Sequence, residues 1–197
     1  KHLDYLHHFC RYVRSTAAWD LCFHRVPAFV NSPLRSLDFV FYTYCDASHA
    51  DDPDTLTSSS SYCVFLGGGQ GAVHAKTFAP KSPALSSTEA EYVCASEAAR
   101  QSLWVKQLLE ELDIFRSVRF ELLEDSAPCI NALRKNVSDS RFKHVRVYYH
   151  FLRDILRDGY CAMVKISTGD QTADLGTKLL PSATRTKHSK SILGIRD

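Results

Sequence analysis

From Leu37 to Cys45 the chain is almost entirely aromatic, β-branched or apolar, and it runs straight into Asp46. Such a run reads as a strand buried on both faces, which needs packed layers on either side of its sheet. The segments that follow supply them. Ser61–Leu66 is a second strand, the glycines at 67, 68, 69 and 71 mark a turn, and Ala72–Phe78 is a third strand, so the order opens as a meander. Ser86-Ser-Thr-Glu89 is a capping box that starts a long helix reaching Leu112. Val118–Leu123 is a strand ending at Glu124 and Asp125, Ser126 to Pro128 open another helix, Arg141–Arg157 is helical by period, Tyr160–Ile166 is a strand, and Gln171–Lys178 is a final helix candidate. A meander continued by alternating helices and strands predicts an α/β fold with a mixed sheet and helices packed on it.

A length of 197 residues with 45% apolar composition is enough for one substantial core. A formal net charge of +2 with 23% charged residues excludes bulk disorder and a uniformly basic coat. The longest apolar runs, Tyr62–Leu66 and Tyr160–Val164, are far short of a membrane span, so no membrane association is expected. The seven cysteines are odd in number, scattered and without a CxxC pair, which points away from a disulfide framework or zinc site and toward an intracellular, reducing compartment. The expected division is 1–33, an amphipathic helix (Leu3, Leu6, Cys10, Val13) and linker; 34–180, the main domain; and 181–197, a basic tail.

Asp46 and Asp125 each follow a buried strand, so on neighbouring strands their carboxylates converge, repelling each other unless a cation lies between them. Glu89 in the first turn of the long helix and Asp174 in the last helix complete an all-oxygen set suited to Mg²⁺ or Mn²⁺. Each also has a purely structural reading: Glu89 as the capping-box partner of Ser86, Asp125 as a helix N-cap, Asp46 as part of a solvated acidic loop, and Asp174 as part of an exposed face. The loop after Asp46 is no EF-hand, because Asp51 and Thr57 stand where glycine and glutamate are needed. Between Arg134 and Lys165 eight Lys or Arg face three Asp. Lys143, Arg146, His150, Arg153 and Arg157 form one stripe of the helix 141–157, which either faces solvent or tracks a phosphate backbone.

The strings YCDASHADDPD, SYCVFLGG, LSSTEAEYVCASEAARQSLWVKQLLEEL, RFKHVRVYYHFLRD and DQTADLGTKLL, in this order, resemble the ribonuclease H domain of copia-type LTR-retrotransposon polyproteins. HLDYLHHFCRYVRST is similar to the segment that joins that domain to reverse transcriptase. The resemblance implies a ribonuclease H-like fold with a five-stranded mixed sheet. It also implies metal-binding carboxylates at Asp46, Glu89, Asp125 and Asp174, and hydrolysis of the RNA strand of RNA:DNA hybrids with two Mg²⁺ (or Mn²⁺) ions. His144 matches a recurrent family position to which no role is assigned. Departures lie at His49–Asp51, where the family has Trp-Ala-Gly, and at Glu124–Ser126, where it has Cys-Asp-Asn. Basic residues are also missing from Thr55–Ser61, and Val73–Thr77 replaces a Trp-Ser-Lys segment. These remove hybrid contacts and leave an alternative: a captured fragment acting as a non-catalytic structural or RNA-binding subunit. The apolar side of the first helix is then expected to meet a protein partner.

Overall fold

The computed structural model describes residues 2–24, 36–49, 58–68, 70–80, 84–134 and 146–196. An opening helix α1 (His2–Thr16) precedes the strands β1 (Asp38–Ser48), β2 (Ser59–Phe65) and β3 (His74–Phe78). Then come α2 (Ser87–Glu111), β4 (Ser117–Glu124), α3 (Ala127–Arg134), α4 (Arg146–Arg157) and β5 (Cys161–Lys165). Two 3₁₀ turns, Thr168–Asp170 and Thr172–Gly176, lead into α5 (Ser182–Leu193). The five strands form one mixed sheet ordered β3-β2-β1-β4-β5. The meander pairs antiparallel, while β4 lies parallel to both β1 and β5.

The expected two-sided burial of β1 is met only in part: from Asp38 to Tyr44 one face is buried, while on the other Val40 is exposed and Tyr42 and Tyr44 are half-buried. Phe39, Phe41, Cys45 and Ala47 face the main core with α2, while Tyr44 packs on the opposite side with Cys63, Phe65 and Ile192 of α5. In the core Phe41 stacks on Phe120 of β4 at 5.5 Å, and Thr43 Oγ1 and Ser102 Oγ on α2 share a 2.7 Å hydrogen bond. That bond shows which line of α2 faces β1.

Two expectations for the C-terminal region are corrected. Gln171–Lys178 is not an α-helix but holds the short 3₁₀ turn Thr172–Gly176, which the Gln171 side chain starts by accepting from Ala173 N and which follows a first such turn at Thr168–Asp170. Residues 181–197 are not a tail: α5 buries His188 and Ser189 and closes at Gly194, whose φ of 69° is a left-handed cap. The α5 terminus is tied to the segment after α1, since Cys22 N donates to Leu193 O at 2.7 Å and Gly71 N to Cys22 O at 2.9 Å. A Cβ on Gly194 would strike both Cys22 O and Gly71 N, so this crossing needs glycine. Tyr12 of α1 reaches Ser189 Oγ at 3.2 Å, which anchors the first helix to the last. The expected boundary at 33 lies outside the described residues.

Candidate metal centre

The register between β1 and β4 runs Asp38↔Ser117 to Tyr44↔Leu123. Two residues further along each strand stand Asp46 and Asp125, at the same carboxyl edge of the sheet. Here the parallel strands separate, and Gln171 occupies the gap. Fully buried, its Nε2 donates to Cys45 O at 2.8 Å and Leu123 O at 3.3 Å. A side-chain amide thus satisfies the carbonyls that strand pairing leaves free.

The third carboxylate is Glu91. One ligand oxygen each from Asp46, Glu91 and Asp125 lies within 4.8 Å of the others, with Asp46 and Glu91 buried and Asp125 half-buried. Glu91 Oε2 also accepts from Ala47 N on β1 at 2.8 Å. This corrects the expectation at Glu89. Glu91 precedes Ser102 by eleven residues, three turns of helix to within about 20°, so it lies on the line of α2 already shown to face β1. Glu89 falls on another side and acts at the helix start. Its N–H donates to Ser86 Oγ at 3.2 Å and its Oε2 accepts from Leu85 N at 2.8 Å. The capping role, one of the two readings of Glu89, is the one the structure adopts. Asp125 is not the cap of α3. Ser126 Oγ accepts from Cys129 N at 3.3 Å in that capacity, which leaves the Asp125 carboxylate to the cluster.

Asp174, 4% exposed, joins through a lysine. Lys178 Nζ donates to Asp174 Oδ1 at 2.7 Å and Asp46 Oδ1 at 3.0 Å, and Thr177 Oγ1 donates to Asp46 Oδ2. The turn Thr172–Gly176 brings these groups in, and it lies so close to β2 and β3 that a Cβ on Gly176 would collide with Ser61 Oγ and Thr77 Oγ1. Glu124, wholly buried at the end of β4, accepts from Ser126 N at 2.9 Å.

Crowding of acids out of water raises their affinity for protons. Burial, then the charges of Glu124 and Asp46, pushes the Glu91 carboxyl up to about 10. Burial pushes Glu124 up to about 8 against the opposing Ser126 N–H, and Asp174 up to about 6 against the opposing Lys178. Lys178 shifts upward as well, because the hydrogen bond to Asp174 and the charge of Asp46 outweigh its desolvation. Buried carboxyls with this proton affinity, set against the single ammonium of Lys178, are a site short of positive charge. A hard divalent cation supplies it, so the donor set fits one.

The described part of the basic stripe lies elsewhere. Tyr148 O accepts from Ser96 Oγ at 3.2 Å near the upper part of α2, and α4 runs from there toward the start of β5. Cys161 is level with Phe120, five residues or about 16 Å below Asp125, so Arg157 sits at the far end of the sheet. It pairs there with Asp154 at 3.0 Å and Asp158 at 3.1 Å. His150, Arg153 and Arg157 line a groove of about 570 Å³ formed by α3, α4 and β5. Lys143 and His144 lie outside the described residues, as does the side chain of Arg146.

No family model matches the chain. Among curated proteins it is 33% identical over 171 residues to the retrovirus-related Pol polyprotein from transposon TNT 1-94 of Nicotiana tabacum, covering 87% of this chain and 12% of that one. It is likewise 33% identical over 154 residues to the Pol polyprotein from transposon RE1 of Arabidopsis thaliana, covering 78% and 10%. Among solved structures it resembles the N-terminal RNase H domain of Rv2228c from Mycobacterium tuberculosis, with a TM-score of 0.53 and 11% identity over 78% of this chain and 98% of that one. LC11-RNase H1 from compost aligns with a TM-score of 0.52 and 12% identity, covering 71% and 92%.

The chain has a ribonuclease H fold, and the curated proteins it resembles are Pol polyproteins of transposons. It spans about a tenth of the length of the polyproteins it matches. Within this ribonuclease H fold the structure adds Glu91, Gln171, Thr177 and Lys178 to the expected Asp46, Asp125 and Asp174, and moves Glu89 to the helix cap. The signal for Glu91 was present in the sequence: the capping box claims the first glutamate of Glu-Ala-Glu and leaves the second to face the sheet.

Proposed function

We propose that this chain is a metal-dependent endoribonuclease acting on the RNA strand of RNA:DNA hybrids. The single observation that carries the reading is the convergence of Asp46, Glu91 and Asp125 at the carboxyl edge of a ribonuclease H-fold sheet. These residues would hold Mg²⁺ or Mn²⁺, with Asp174 as a fourth ligand, and the proposed complement is two ions. A bound divalent cation supplies Lewis-acid polarisation of the phosphoryl group and a water of lowered pKa. The chain itself contributes orientation. Thr177 and Ala47 N–H fix one oxygen each of Asp46 and Glu91, and Gln171 locks the separated strand ends that carry the cluster. Recognition would rest on 2′-hydroxyls and backbone shape rather than base sequence. Contacts from the basic stripe would not come from Arg157, which is engaged at the far edge.

The test is cleavage of an end-labelled hybrid in Mg²⁺. The parent chain is expected to cut the RNA strand, and Asp46→Asn and Glu91→Gln to lose about a thousandfold or more in rate. An inactive parent indistinguishable from both variants would end the proposal.

A second reading, a non-catalytic subunit of a larger assembly, is favoured by the apolar side of α1. Leu3, Leu6 and Phe9 there are each more than half exposed, at 68%, 58% and 61%. Patches of this kind mark contact surfaces, and the proposed partner is a reverse-transcriptase-like chain. Analytical ultracentrifugation of a mixture with that polymerase part is expected to show a complex on this reading. Separate sedimentation of the two chains would remove its support.

A further inference from the structure

Asp46 is fully buried and belongs to the three-carboxylate cluster, yet both its oxygens are engaged on the opposite side, one by Thr177 Oγ1 and one by Lys178 Nζ. The same ammonium reaches Asp174, so a single cation lies between two carboxylates at 3.0 and 2.7 Å. Two buried anions at such close quarters need a positive charge, and a divalent ion bound between them would require the place that Lys178 Nζ occupies. The lysine is placed for exchange rather than permanent burial. Its side chain is 38% exposed, and it lines a groove of about 710 Å³ with Phe9, Leu175 and Leu179. A flexible four-carbon stem can carry the head group into that space. The carboxylates cannot follow, because Asp46 lies in a strand and Asp174 O is held by the N–H groups of Thr177 and Lys178.

We propose that Lys178 is a built-in counter-cation that joins Asp46 to Asp174 in the metal-free site and is displaced by a divalent ion there. It thereby weakens loading of that position relative to the one bounded by Glu91 and Asp125. Lys178 is thus a positioning residue for metal, and the inference rests on the metal-centre part of the reading above without requiring hybrid cleavage.

The experiment is Mn²⁺ titration by calorimetry of the parent chain, Lys178→Met and Lys178→Arg. It is paired with mass-spectrometric reductive methylation of Lys178 in the parent, with and without Mn²⁺. The methionine variant is expected to bind Mn²⁺ about tenfold tighter or more, the arginine variant to bind as the parent does, and parental Lys178 to become several-fold more reactive when Mn²⁺ is added. Should Lys178→Met fail to fold, the labelling of the parent decides alone. Equal affinity in parent and methionine variant, or a Lys178 as protected with bound Mn²⁺ as without it, overturns this inference and leaves the nuclease reading intact. Absence of Mn²⁺ binding in all three chains overturns both.

Discussion

Glu89 and Glu91 stand two positions apart on α2, and their separation around the helix decides which joins the acidic cluster. Glu91 shares the line of Ser102, which touches β1, whereas Glu89 closes the helix start against Leu85 and Ser86. Glu91→Gln is therefore expected to abolish hybrid cleavage. Glu89→Gln should keep activity within a few fold while lowering stability by about 1 kcal/mol, read from urea denaturation. The reverse pattern contradicts the assignment. The buried acids also set a pH dependence. In the folded, metal-free protein Glu91 is raised to about 10 from an ordinary 4.5, so its stabilising proton is fully present below 4.5 and is lost as the pH climbs toward 10. Glu124, raised to about 8, adds to the loss between 4.5 and 8. Denaturation midpoints in EDTA should fall from pH 5 to pH 8.5, and Mg²⁺ should flatten the slope. A midpoint that rises with pH in EDTA contradicts this.

At the scale of elements, the site depends on one short 3₁₀ turn pressed against β2 and β3. Gly176→Ala should displace that turn, costing about 1–3 kcal/mol in stability and separating Asp174 and Lys178 from Asp46. Thermal unfolding together with Mn²⁺ affinity checks it, and a variant unchanged in both refutes the role of the close approach. Much of this level was legible in the sequence. The Leu37–Cys45 run announced a strand covered on both faces; α2 covers one side, whereas on the other Val40 stays exposed and only Tyr44 meets the cluster with Ile192 of α5. Ser86 and Glu89 marked the start of α2 to the residue. The 3₁₀ turns were not legible, because Gln171–Lys178 has a helix-like composition and only contact with Ser61 and Thr77 shows why glycine stands at 176. Nor was α5, whose mixed polar sequence hides the burial of His188 and Ser189. Of the site, the two strand-end aspartates follow from the ends of apolar runs. Lys178, by contrast, is recognisable only once Asp46 and Asp174 are seen on either side of it.

For the molecule as a whole, the acidic cluster and the paired Arg157 lie at different ends of the sheet, while Phe9 on the apolar side of α1 shares a groove with Lys178 beside the acids. The acids gather at the carboxyl edge of the sheet, Arg157 is paired at the opposite edge, and α1 carries exposed leucines while Tyr12 holds it to Ser189 of α5. Replacing Leu6 and Phe9 together with serine should leave the unfolding temperature of the isolated chain within about 2 °C, since exposed positions contribute little to folding. The same change should weaken association with the polymerase part, measured by sedimentation. A large drop in unfolding temperature would show instead that α1 is integral to the core. Whether Asp46, Glu91 and Asp125 form a cation site is read most plainly from anomalous diffraction of a crystal grown with Mn²⁺. A peak is expected about 2–2.3 Å from carboxylate oxygens of Asp46, Glu91 and Asp125, with none at Glu89. A map with no peak among those three carboxylates, or with manganese held by Glu89, would contradict that site.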